Sequence, residues 1–134
     1  VDVCFCTGDE IPAELTVVVL QNLANLIVTG HSPANFIPSL TNKRIVYLKI
    51  DNQIVAHIIW EWVGTSTYIV FTAVNPEYTG RGLYAILHKA YEDRIRAGGA
   101  TASKSQLHVD NTRIIELSQE NGYEIEYYRM VKKL

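Results

Sequence analysis

Apolar residues recur along the chain with two periods, and the switches between them mark out the elements. Val1–Cys6 alternates apolar and polar, which predicts a short strand. After the turn "TGDEIP", the residues Leu15, Val19, Leu23, Leu26 and Ile27 fall on one helical face. They predict a helix over Ala13–Val28, with Pro12 suited to a first helical position and Gly30 past the end. The run Val17-Val18-Val19 pulls the other way, because β-branched side chains favour strands. "HSPANFIPSL" carries two prolines and reads as a loop. Arg44–Ile50, Ile54–Val63 and Tyr68–Val74 then read as three strands joined by the turns "DNQ" and "GTST". The helical period returns with Leu83, Ile86, Leu87, Ala90 and Tyr91, and Gly98-Gly99 stops it. Gln106–Val109 is strand-like. Asn111–Glu120 is helical, with Asp110 or Asn111 as its cap and Gly122 as its stop, and Tyr123–Leu134 reads as a closing strand.

An antiparallel meander followed by a strand–helix–strand unit predicts an α/β or α+β fold. Its sheet is covered by helices on both faces, in one domain over residues 1–134. Composition agrees: 48% hydrophobic and 19% charged residues suit a folded domain that needs no staples. The net charge of −2 argues against nucleic acid or an anionic membrane as partner, and no apolar run is long enough to span a bilayer. Cys4 and Cys6, two apart on a strand, point to one face and are badly placed to bridge each other. No second Cys or His pair stands at ligand spacing, so no metal is expected, and reduced thiols suggest a cytoplasmic protein.

The segment "VNPEYTGRGLYAIL" (Val74–Leu87) changes this picture. It puts Gly80-Arg81-Gly82 at the mouth of a helix, where the first N–H groups lack partners and glycine allows close approach. Taken alone, it is an anion seat or simply a flexible turn. Together with "LHVDNTRIIELSQENGYEIEYYRMVKKL" and the order of elements, it resembles the GNAT-type N-acetyltransferases. In that family the strand before the loop ends in Val-x-Pro, as Val74-Asn75-Pro76 does. The loop reads Arg/Gln-x-x-Gly-x-Gly/Ala, and an asparagine, a helix and a Gly-Phe/Tyr step follow, matched by Asn111 and Gly122-Tyr123.

The resemblance implies acetyl-CoA as cofactor. Its pyrophosphate would lie on the amides of Gly80, Arg81, Gly82, Leu83 and Tyr84, aided by the helix dipole. The family's Arg/Gln falls on Thr79 and its last Gly/Ala on Tyr84. Backbone groups of Ala73 and Val74, on a bulged strand, would pair with the pantetheine arm in a cleft between the fourth and fifth strands, and Asn111 would add a hydrogen bond. The family closes with two strands, whereas Tyr123–Leu134 has room for one. The final strand is then missing, very short, or supplied by a second copy in a homodimer.

Acetyl transfer to an amine requires the amine to lose a proton, the carbonyl to be polarised and the leaving thiolate to gain a proton. The family's usual acid is a tyrosine seven residues after the asparagine, a position held here by Ser118. Glu61, between Trp60 and Trp62, is a candidate base; its plainer reading is a carboxylate on a solvent face shared with His57. His108, on the strand bordering the cleft, is another candidate, against the plainer reading of a satisfied sheet histidine. His88, beside Lys89, is expected on an exposed side of its helix. Three functions follow as expectations. One is transfer from acetyl-CoA to an amine of a small molecule or a peptide. The second is an acyl-CoA-binding or partner-binding module without catalysis, and the third is a generic domain with a chance glycine turn.

Overall fold

The computed structural model describes residues 1–30, 39–105, 112–126, 130, 132 and 133. Its elements are β1 (Asp2–Thr7), α1 (Ala13–Val28), β2 (Arg44–Ile50), β3 (Gln53–Val63), β4 (Ser66–Val74), α2 (Leu83–Ala97), β5 (Ala102–Ser105) and α3 (Thr112–Glu120). The five strands form one sheet in the order β1-β2-β3-β4-β5. The first three pairings are antiparallel, and β4 pairs with β5 in parallel. Among the described residues that parallel pairing ends at Ile69 opposite Ser105, so Val70–Val74 run on beyond it.

The two faces of the sheet carry separate cores. Leu15, Val19 and Leu23 of α1 pack on Ile45, Tyr47, Ile54, Ile59 and Phe71. On the other face Leu83, Leu87, Tyr91 and Ile95 of α2 pack on Val46, Leu48, Val55, Ala56, Ile58, Trp60 and Ile69. The predicted mixed sheet between helices is therefore the observed one. Val19, buried at 3% exposure, explains why the valine run stays helical: docking on the sheet outweighs a weak local preference.

β3 reads as continuously apolar because both of its faces are covered, and one bulge falls in it and another in β4. Register steps from Leu48↔Ala56 to Lys49↔Ile54, leaving Val55 extra, and from Ile59↔Phe71 to Trp60↔Ile69, leaving Val70 extra on β4. Each bulge reverses which face the next residues occupy, so Ile69 and Phe71, two apart, enter opposite cores. The hairpin between β2 and β3 turns on Asp51 and Asn52, whose φ of 51° and 65° are those of a tight turn matched to strand twist.

The C-terminal end departs from expectation. Tyr123–Glu126 form no strand. Gly122, at φ 90°, turns the chain so that Tyr123 folds inward, its hydroxyl 2.6 Å from Ser103 Oγ. The predicted strand Gln106–Val109 lies outside the described residues. The observed β5 precedes it, in the polar stretch "ASKS", which has no apolar alternation to betray it.

Candidate active site

β4 delivers the chain to the loop through Asn75. Its N–H donates to Val55 O (2.8 Å) and its Nδ2 to Ile54 O (2.9 Å), which ties the end of β4 to β3. Asn75 Oδ1 accepts from Asn22 Nδ2 on α1 (2.9 Å), and the same amide group stands 3.2 Å from His57 Nε2. Since Asn22 Nδ2 can only donate, His57 Nε2 is the unprotonated nitrogen and the ring is neutral. Burial agrees, holding His57 down at about 4. This link joins α1, β3 and β4 immediately behind the loop. Only a long-range fold reveals it, since Asn22, His57 and Asn75 are far apart in sequence.

Pro76–Tyr78 form a single 3-10 turn, closed by Thr79 Oγ1 donating to Pro76 O at 2.9 Å. The Thr79 hydroxyl is thus spent on the turn. Gly80 and Gly82 follow at φ 78° and 74°, left-handed values natural to glycine, and Gly82 caps α2. A Cβ built on either glycine meets nothing within 4 Å, so the backbone is open on that side. Among the described residues the amides of Gly80, Arg81, Gly82, Leu83 and Tyr84 make no backbone hydrogen bond, and Ile86 N donates to Gly82 O at 3.5 Å. No acidic residue lies in the first turn, and Arg81 is held over the Tyr78 ring at 4.8 Å. Amide donors at the positive end of a helix dipole, opening on exposed Gly80–Gly82, are the arrangement that receives phosphate oxygens, so these residues fit the pyrophosphate of acetyl-CoA.

Beneath the loop, α2 turns its aromatic residues inward. Tyr84 is buried at 6% exposure, and its hydroxyl lies 3.0 Å from Ser118 Oγ on α3. Its ring stacks on His88 at 4.3 Å between centroids. His88 is buried, not exposed as expected, because Tyr84, Tyr91 and Tyr123 surround it. Burial also holds it down at about 4, and neither ring nitrogen has a partner among the described residues. Beside this group, Thr67 Oγ1, Tyr91 OH, Ser103 Oγ and Tyr123 OH form a chain of hydroxyl contacts, each of 2.6 Å, that bridges β4, α2 and β5. Burial raises Tyr84, Tyr91 and Tyr123 above the ordinary tyrosine range, so all three are protonated at neutral pH.

The structure brings Ala73, Val74, the loop Thr79–Tyr84 and Ser118 to one end of the sheet. Glu61 is elsewhere. It lies five residues along β3 from Ala56, the partner of Val74, or about 17 Å at strand spacing, and it pairs with Lys43 Nζ at 2.9 Å. It shares a face with His57 as expected, but α1 covers that face at His57, which is fully buried. His108 and Asn111 lie outside the described residues. A cavity of about 630 Å³ lined by Phe5, Arg44, Trp60, Trp62, Arg94 and Gly98 stands at the far end of α2 and is separate from the loop. Among the described residues, no helix is long and apolar enough to cross a membrane.

An open glycine loop thus caps α2 at the end of a bulged strand of this mixed sheet. The profile of the acetyltransferase (GNAT) family matches residues 28–123, and the chain belongs to that family. No characterised protein matches it by sequence search. Among solved structures it is similar to a ribosomal-protein-alanine N-acetyltransferase from Brucella melitensis biovar Abortus 2308 (TM-score 0.74, 9% identity, all of both chains). It is also similar to the aminoglycoside N-acetyltransferase AAC(6')-Iy in complex with CoA (0.71, 12%, 99% and 98% of the chains). A third is the aminoglycoside acetyltransferase meta-AAC0020 from an uncultured soil metagenomic sample, in complex with trehalose (0.72, 13%, 99% and 95%).

Proposed function

We propose that the chain is an acetyl-CoA-dependent N-acetyltransferase whose acceptor is an amine of a small molecule or of a peptide or protein. The observation that carries this reading is the run of amides from Gly80 to Tyr84 at the start of α2, without backbone partners among the described residues and with open space at Gly80 and Gly82, in a chain of the GNAT family. In this reading the amides and Arg81 hold the pyrophosphate. Backbone groups of Ala73 and Val74, beyond the last described β4–β5 pair, hold the arm; Asn111 is a further candidate on the family resemblance alone. Bound acetyl-CoA supplies an activated thioester. The Asn75 link keeps the strand end fixed, so the reacting carbonyl meets backbone donors already in place. Solvent takes the proton of the amine, with His108 as a candidate relay. Glu61 is too distant to act directly. Relatives of this fold act on acceptors as different as aminoglycosides and a ribosomal protein, which supports an amine acceptor without selecting one. We place the protein in the cytoplasm, where Cys4 and Cys6 remain free thiols.

Thiol release from acetyl-CoA in the presence of an amine panel tests the reading. Amine-dependent release is expected. Binding of acetyl-CoA with no release for any amine would favour the second reading, a binding module. That alternative draws on Ser118, a short side chain whose hydroxyl already meets Tyr84.

A further inference from the structure

The cavity at the far end of α2 has a chemistry of its own. Its volume of about 630 Å³ suits a small molecule. Thr7, Arg44 and Trp60 stand side by side across β1, β2 and β3, on the sheet face that α2 covers, and all three line it. α2 ends at Ala97, which leaves this corner of the sheet open, with Phe5 and Trp62 each 37% exposed. Arg94, in the last turn of α2, lays its guanidinium on the Phe5 ring at 3.7 Å. Trp62 lies against Gly98, where a Cβ would come within 2.9 Å of its ring.

Lys43, Lys49, Lys89 and Arg96 each meet a carboxylate, but among the described residues Arg44 and Arg94 meet none. No acidic residue lines the cavity, so two unpaired positive charges gather there in a chain of net charge −2. The C-terminal end of α2 carries about half a negative charge, which two guanidinium groups outweigh. Stacking occupies the face of the Arg94 guanidinium and leaves its N–H edge free, so the fork is held in place and open. Such forks match a planar carboxylate, and an exposed aromatic wall matches a flat ring.

We propose that this cavity binds a small aromatic carboxylate, its carboxyl group on Arg44 and Arg94 and its ring on Trp62. The site is distinct from the acetyl-CoA loop, since Arg94 follows Leu83 by eleven residues, about 17 Å along the helix. It stands whether or not the chain transfers acetyl groups.

Trp60 and Trp62 are the two tryptophans of the chain and both line the cavity, so intrinsic fluorescence reads it directly. Phenylacetate titrated into the wild type, with calorimetry alongside, is expected to saturate with half-occupancy at about 1 mM or below. Its uncharged amide, phenylacetamide, and the ringless anion acetate each bind at least about 10-fold more weakly. Arg44→Gln and Arg94→Gln replace exposed side chains, and each weakens phenylacetate about 10-fold, whereas saturating acetyl-CoA leaves its affinity unchanged. No binding of phenylacetate, binding no tighter than that of acetate or the amide, or equal binding by the wild type and the double variant overturns the proposal. So does competition with acetyl-CoA. Inorganic phosphate bound as tightly as phenylacetate overturns it too, by reducing the cavity to a general anion site. Arginine-dependent binding of phenylacetate by a chain that does not bind acetyl-CoA upholds this site and removes the transfer reading instead.

Discussion

Asn75 makes three contacts that no neighbouring residue can replace: its N–H and Nδ2 reach β3, and its Oδ1 accepts from α1. Asn75→Ala removes the side-chain pair and leaves Ile54 O and Asn22 short of partners. It costs about 1–3 kcal/mol in urea denaturation and weakens acetyl-CoA binding through a loosened strand end. His57 and His88 set the acid limb of stability. Each is held at about 4 in the folded chain against 6.5 when unfolded, so the unfolded state binds more protons between these values. Their contribution is complete above pH 6.5 and is lost as pH falls towards 4, by up to about 3 kcal/mol each. The melting temperature therefore falls through this window, and His88→Phe flattens the fall. An unchanged profile in that variant would contradict the assignment.

At the scale of elements, the periodic segments were legible before any coordinates. The helices over Ala13–Val28 and Leu83–Ala97 and the three hairpin strands stand where the apolar spacing put them, because each buries a regular face. Periodicity failed where long-range pairing decides. The strand "ASKS" is held by β4 and by the hydroxyl chain through Ser103, with little apolar signal of its own. His88 sits next to Lys89 and looks exposed until Tyr123 folds over it from beyond α3. The bulges at Val55 and Val70 change faces without leaving a mark on composition. Gly8 is similar. It opens a 3-10 turn with its N–H on Lys43 O at 3.0 Å, and a Cβ there would run into the Leu40 carbonyl. Gly8→Ala should cost about 2 kcal/mol or more, read as a lower urea midpoint, because backbone has to move.

Across the whole molecule, the site is an end-of-sheet assembly. β4 and α2 bring the backbone donors, α3 brings Ser118, and the core between them brings Tyr84 and His88. The glycine loop was readable because a helix start with glycines has a sequence signature. The Tyr84–Ser118 contact was not, since it joins residues from two helices whose approach no local pattern encodes. β5 ends the sheet as described, and we propose that a second copy covers this edge. Sedimentation should then give twice the monomer mass, and a monomer at every concentration would contradict it. The central claim is that the loop Gly80–Gly82 seats acetyl-CoA. Titration calorimetry of acetyl-CoA into wild type and Gly82→Glu, both checked for folding by circular dichroism, tests it most directly. One site per chain is expected in the wild type and none in the folded variant, because a carboxylate side chain fills and repels the seat. Equal binding by the two proteins, or no binding by the wild type, would contradict it.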